Sequence, residues 1–270
     1  MSFTAAATNA PGYVYDNADA HAEDQHSHLI GAYDSLTTRR LERLSIQPGM
    51  RCLEVGAGSG SIATWLATRV SPSGSVLATD IAPRHIKKAP NLEVMAHNIV
   101  TDPLPEAEFD VIHARLVLLH LPERRLVLNR LAKALRPGGW LQIEDYDETT
   151  YGPLLLAPNS DRQTHKSYAK YIAAKQRLLE EAGVELTWGR KIAHAMDEAG
   201  LTAIDAEPYV EQWRATSPGT ALQIHNTIHL ADRLTDAGAT QKDLEDARRV
   251  MSDPGFLATS CLMYSVQGQR

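Results

Sequence analysis

The chain has 270 residues, with 33 acidic and 27 basic side chains and a formal net charge of −6. Apolar residues make up 43% and charged residues 22%, the balance of an ordinary globular protein, which excludes disorder over most of the length. The acidic excess argues against nucleic acid as a partner, since duplex affinity comes largely from neutralising phosphates, and no apolar run is long enough for a membrane span.

Residues 1–10 are small and polar, without the basic and apolar stretches of a signal peptide. The cysteines are Cys52, inside an apolar strand-like run, and Cys261, so a reducing, cytoplasmic location is expected. Residues 13–25 are polar with two aromatics, Tyr13 and Tyr15, and read as an arm or lid helix. Leu29, Ile30, Tyr33, Leu36, Leu41 and Leu44 recur at helical spacing and predict a helix over 28–44. After the Pro48-Gly49 turn come a short apolar strand over 51–55, a helix over 59–70 and a strand over 75–79 that ends at Asp80. The alternation continues with a short helix over 83–89, strands over 92–96 and 109–113, a helix over 122–135 and a strand over 140–144. Such alternation across short loops predicts an α/β fold, a mostly parallel sheet with helices on both faces. Right-handed crossovers then set its winding.

Beyond Asp145 the rhythm changes. Helices are expected over 161–182, 190–199, 220–237 and 241–251, and strands over 203–213 and 257–267. The expected organisation is an arm and helix over 1–44 serving as a lid, then one domain over 45–270 with cap insertions near 150–188 and 217–255.

The chemistry-bearing segment is Leu53-Glu54-Val55-Gly56-Ala57-Gly58-Ser59-Gly60, where a strand turns into a helix. Glycine lets the backbone adopt positive φ and approach a ligand. The helix start offers free N–H groups and partial positive charge. Asp80, about twenty residues past Gly60 at the end of the next strand, can accept hydrogen bonds from a ribose. An adenosine-containing ligand is therefore expected. Dinucleotide sites space their glycines G-x-G-x-x-G, whereas here the spacing is Gly56-x-Gly58-x-Gly60. Glu54 also points a negative group toward the site, which suits the ammonium and sulfonium of S-adenosylmethionine better than a pyrophosphate.

The glycine-rich run resembles motif I of class I methyltransferases. Phe109-Asp110-Val111-Ile112-His113-Ala114-Arg115, followed by Leu119-His120-Leu121-Pro122, is similar to their fourth-strand motif. Leu135-Arg136-Pro137-Gly138-Gly139-Trp140-Leu141 is similar to the turn before their fifth strand. These motifs cover about residues 45–145, and the flanks resemble small-molecule methyltransferases of actinobacterial type. The resemblance implies a Rossmann-like, doubly wound, mostly parallel seven-stranded sheet with a terminal antiparallel strand and helical cap insertions. It implies S-adenosylmethionine as cofactor and a small-molecule methyl acceptor.

Roles follow residue by residue. Glu54 and Gly56 hold the methionine end, and Ala57, Gly58 and the nearby backbone let methionine and ribose approach. Asp80 takes the ribose hydroxyls, with Ile81 against the adenine. Asn98 and Ile99 lie at the adenine amine; Asn98 departs from the family's acidic residue, but its amide oxygen still accepts. Ala114 contacts the methionine part through its backbone, and Arg115 lines that end or braces the loop. In related enzymes an N-terminal arm folds over the cofactor, which makes Tyr13 a candidate lid contact, with a frayed terminus as the alternative.

Methyl transfer is an in-line displacement, so alignment and water exclusion matter most, and a base is needed only if the acceptor must lose a proton. His120 is a candidate base or a loop brace. His225 and His229, four residues apart, share a helix face and are candidate bases or a packed pair. No glutamate lies between them in the zinc-helix position, and no metal is expected. Glu144 and Asp145 leave the fifth strand where ligands bind in open α/β sheets, as substrate contacts or as a charged loop end. Tyr168, Tyr171, Trp188 and Trp213 are core or pocket wall; several facing the site would suit an aromatic or indole-like natural-product acceptor. Two other readings stay open: an NAD(P)-dependent oxidoreductase with an atypical turn, and a methyltransferase fold used for binding alone or for non-methylating chemistry such as cyclisation. A homo-oligomer packed through the N-terminal arm is a further expectation.

Overall fold

The computed structural model describes residue 14 and residues 21–152, 154–157 and 161–270. Tyr13 and Tyr15 lie outside the described residues. The first helix is α1 (Ala22–Glu42), followed by β1 (Arg51–Val55), α2 (Ser61–Val70), β2 (Ser75–Asp80), β3 (Leu92–Ala96) and β4 (Phe109–Arg115). Next come α3 (Arg124–Ala134), β5 (Leu135–Asp147), β6 (Leu154–Leu156), α4 (Arg162–Glu181), α5 (Trp188–Glu198) and β7 (Thr202–Tyr209). The chain closes with β8 (Gln212–Arg214), α6 (Pro218–His229), α7 (Ala231–Asp236), α8 (Gln241–Met251), β9 (Leu257–Thr259) and β10 (Leu262–Gln269).

Seven strands form the main sheet in the order β3-β2-β1-β4-β5-β10-β7. β1 to β5 are parallel, and β10 runs antiparallel between β5 and β7. This is the Rossmann-like doubly wound sheet with its antiparallel strand. Successive residues alternate between faces: Cys52 and Val111 pack with α2, while Leu53, Val55 and Ile112 join the larger core on the other side. Burial on both faces is why β1 and β4 read as apolar runs rather than as alternating patterns. The strand order reverses between β1 and β4, so a crevice opens there at the carboxyl ends of the strands.

Several expected elements divide. The helix over 83–89 shrinks to a 3-10 turn, Pro83–His85; Pro90 biases the residue ahead of it away from helix. The strand over 203–213 becomes β7 and β8, and that over 257–267 becomes β9 and β10. At both breaks the chain changes sheet, pinned where Ser260 N–H donates to the Glu211 carbonyl (2.9 Å) and Glu211 N–H donates to Ser260 Oγ (2.8 Å). β6, β9 and β8 form a small second sheet that the pattern did not predict. The helix over 220–237 bends at Leu230, which turns Leu234 into the core.

Helices α4, α6, α7 and α8 pack on one another, and α6 also packs on α1, forming a cap beside the sheet. Asp243 ties α8 to α4: it completes the capping box with Thr240 and accepts from Ser167 Oγ at 2.8 Å. Helix α1 is anchored through Arg40, fully buried, whose guanidinium reaches Asp205 Oδ2 (2.6 Å) and the Ser265 carbonyl (3.3 Å). No helix among the described residues is long and apolar enough to cross a membrane.

Candidate active site

The turn after β1 holds Gly56, Gly58 and Gly60 at φ +65°, +57° and +83°. At Gly56 space forbids a side chain as well, because a Cβ would lie 2.3 Å from Val117 Cγ2 in the loop after β4. Asp80, buried at the end of β2, braces this turn: Oδ2 accepts from Gly58 N–H and Oδ1 from Ala82 N–H, both at 2.9 Å. Each oxygen keeps a further lone pair for a ligand hydroxyl.

Behind the turn runs a buried ionic chain. Glu54 and His113 sit opposite each other in the β1–β4 register, and His113 Nδ1 donates to both Glu54 oxygens at 2.9 and 2.8 Å. Its Nε2 faces Glu144 Oε2 at 3.5 Å, an ion-pair separation rather than a formed hydrogen bond. Burial alone would lower the His113 pKa, but the two carboxylates outweigh it and push it up to about 9. Glu144 also accepts from Ser265 Oγ (2.7 Å), Gln142 Nε2 (2.9 Å) and Thr37 Oγ1. Arg115 links this cluster to α1 through Thr37 Oγ1 and Asp34 Oδ1, each at 2.8 Å. One imidazolium between two carboxylates leaves the cluster net negative where it borders the cavity at Glu54.

A cavity of about 460 Å³ opens along the carboxyl ends of the strands. Its walls bring together Glu54, Gly56, Ala57, Gly58, Asp80, Ile81, Asn98, Ile99, Arg115 and His120, ten of the expected site residues. Ala114 is excluded: it is fully buried within β4, and Leu116 and Val117 form the wall in its place. Leu116 takes φ +56°, which swings the loop over the glycine turn. Asn98 uses its amide oxygen to hold Val100 N–H at 3.0 Å, leaving one lone pair facing other partners.

His225 and His229 do not line the cavity. They stack with each other, ring centroids 4.2 Å apart, and with His21 and His28 of the α1 region at 3.6 and 5.9 Å. The face of α6 that borders the cavity carries Leu222, Gln223 and Asn226 instead. Glu144 and Asp145 are fully buried and do not border it, and Tyr168, Tyr171, Trp188 and Trp213 are core. Sequence reading missed His26, Glu148 and Lys175, all of which line the cavity. His26 lies over Gly58; burial, then neighbouring His85, lowers its pKa, and its Nδ1 is buried without a hydrogen-bond partner among the described residues. His120 is pushed down to about 4 by burial and then by Arg124 and Lys175, so it is a neutral imidazole at neutral pH.

Residues 26–206 match the methyltransferase domain family. Methyltransferase str2 of Strobilurus tenacellus is 46% identical over 100 residues, covering 36% of this chain and 36% of that protein. The chain thus spans about a third of the length of that fungal relative. The 27-O-demethylrifamycin SV methyltransferase of Amycolatopsis mediterranei is 29% identical over 186 residues, 60% of this chain and 64% of that one. Among solved structures, phosphoethanolamine N-methyltransferase 2 of Haemonchus contortus, in complex with phosphomonomethylethanolamine and S-adenosylhomocysteine, aligns with a TM-score of 0.58 at 14% identity. It covers 94% of this chain and 57% of its own, a likeness of fold. With the motif-bearing turn, the strand order and the family match over residues 26–206 in agreement, this chain belongs to the methyltransferase domain family.

Proposed function

We propose that this protein transfers the methyl group of S-adenosylmethionine to a small-molecule acceptor. The observation that carries the reading is one cavity joining the glycine turn, Glu54 and Asp80 to an apolar chamber under the helical cap. The residues present fit the cofactor. Left-handed glycines let the backbone close on it, Asp80 has lone pairs left for both ribose hydroxyls, and Ile81, Asn98 and Ile99 suit the adenine. The net negative Glu54–His113–Glu144 cluster suits the cationic methionine end and opposes a pyrophosphate, which favours this reading over a dinucleotide oxidoreductase. Bound there, S-adenosylmethionine would supply a methyl carbon already activated by its sulfonium. The chain's own tasks are to orient the acceptor and exclude water.

Calorimetry with S-adenosylhomocysteine and with NAD tests the reading. Binding of the first and not the second is expected; the reverse would overturn it. In the same assay Asp80→Ala is expected to weaken S-adenosylhomocysteine by roughly 1–3 kcal/mol, through lost charge-assisted hydrogen bonds and a loosened turn. Unchanged affinity would remove Asp80 from the ribose site.

The placement of His225 and His229 makes a separate prediction. Either alanine variant should keep cofactor affinity and methyl transfer within about twofold of the parent, well under 1 kcal/mol. A tenfold loss of turnover in either would bring the pair back into the acceptor's path. Among the described residues, the aromatic or indole-like acceptor draws support from one cavity-lining Phe, Tyr or Trp side chain, Tyr146, and not from Tyr168, Tyr171, Trp188 or Trp213.

A further inference from the structure

The two halves of α1 are held by different means. Its C-terminal half is tied to the sheet and the loop after β4 through Asp34, Thr37 and Arg40, which meet Arg115, Glu144 and Asp205. Its N-terminal half supplies Gln25, His26, Leu29 and Ile30 to the cavity wall, with His26 over Gly58 of the glycine turn. Gly31 separates the halves, and a glycine inside a helix weakens it locally. Here it also lets α6 approach closely, since a Cβ at Gly31 would lie 2.9 Å from Pro218 Cγ.

From that crossing α6 runs antiparallel to the N-terminal half of α1, and histidines line the seam. His28 meets His225 at 5.9 Å between ring centroids, and His21, the residue ahead of α1, meets His229 at 3.6 Å and His225 at 6.3 Å. His225 thus touches the other three and is half-buried. Burial, then the charges of His229 and His28, push its pKa down to about 4; Asp24 of α1 attracts its proton, and His21 repels it. On the other elements packed against α6, Arg233 of α7 donates to the Val14 carbonyl at 2.8 Å and Asp232 is exposed. Arg248 of α8 donates to the Thr227 carbonyl at 2.9 Å, Asp246 pairs with Lys242 and Arg249, and Arg214 of β8 donates to Gln212 at 3.0 Å. On the same half of α1, His26 faces the His85 ring at 5.5 Å; burial and then His85 lower its pKa, with Asp80 opposing.

We propose that His21, His28, His225 and His229 form an acid-labile clasp, which holds the N-terminal half of α1 on α6 near neutral pH and releases it from the glycine-turn end of the cavity in acid. The inference goes beyond methyl transfer and holds whatever ligand the cavity takes. Its cause is a difference in proton affinity between two positions of one half-helix. Clasped, His225 resists protonation, because its ring is desolvated and crowded by other imidazoles. Swung clear about Gly31, it meets water and returns to the ordinary histidine value of about 6.5. A group whose clasped pKa is depressed favours the clasp at high pH. Opening is therefore driven as pH falls below about 6.5, and the drive is complete near pH 4, with solvent supplying the proton. The C-terminal half stays anchored, so the movement is a local swing that lifts His26 off the turn.

Amide hydrogen exchange of the full chain without added cofactor reads the clasp directly, once corrected for the intrinsic rate at each pH. It is independent of the methyltransferase reading. Between pH 7.5 and 5.5 the opening constant of the amides over residues 22–30 should rise about tenfold, the ratio set by the clasped and free proton affinities of His225. His225→Phe keeps a ring that takes no proton, and His225→Gln keeps a polar side chain that takes none. Each should cut the rise to less than half of the parent's. A parent rise below about threefold, or a rise of half the parent's or more in either folded variant, would overturn the proposal. An equal rise over α8 would overturn it too, since that reports global unfolding and not a local swing.

Discussion

His113→Ala is expected to destabilise the fold by about 3–5 kcal/mol, the cost of stranding buried charge. The imidazolium is the shared cation of Glu54 and Glu144, and all three side chains are buried. Removing it leaves two buried carboxylates with no counter-charge between them. Urea denaturation measures the loss, and a change under about 1 kcal/mol would show that the pair is not ionised in the native state. Adding Glu144→Gln to the alanine variant should recover part of the loss, since one stranded carboxylate is then gone. The pH dependence has a definite sign. The two carboxylates lift the His113 pKa to about 9 against the opposing effect of burial. The unfolded value is about 6.5, so the stabilisation is complete below about pH 6.5 and is lost as pH rises through about 9. The parent should therefore lose more stability than His113→Ala across that interval.

Gly56→Ala should weaken S-adenosylhomocysteine binding about a hundredfold or more, close to 3 kcal/mol. Two causes add. At φ +65° a side chain costs roughly 1–2 kcal/mol of backbone strain. The new methyl would also sit 2.3 Å from Val117 Cγ2, so the loop that closes the cavity must shift. The variant Gly56→Ala with Val117→Ala separates the two, because it relieves the clash and keeps the strain; it should regain part of the affinity and no more. Gly58→Ala is the control, with φ +57° but its nearest atom, His26 Nε2, at an ordinary 3.4 Å. Equal losses at Gly56 and Gly58 would show that the Val117 contact does not matter.

The charge of Glu54 was legible in advance, but its setting was not. Read along the chain, it is an acid two residues before a glycine. In the sheet it faces His113, since β1 and β4 are neighbours in register, with Glu144 one strand further on. A histidine inside the apolar run Phe109–Arg115 was the available signal, and it pointed to Glu54 only once β1 and β4 were placed side by side. The same limit explains His225 and His229. Helical spacing correctly put them on one face of α6, but that face meets His21 and His28 rather than the cavity. Periodicity tells which residues share a face, not what the face meets.

Contiguous residues carried the glycine turn, the acid that ends the next strand and the alternation of strand and helix, because each depends on backbone conformation within a few residues. Those features placed one end of the cavity. The end of the cavity under the helical cap was decided by tertiary structure, for a physical reason. Lys175 and Glu148 lie 27 residues apart and Tyr171 and Gln223 lie 52 apart, and they meet only because apolar faces of α4, α6 and α8 bury one another over the sheet. The field inside that chamber is a sum over side chains that packing alone makes neighbours.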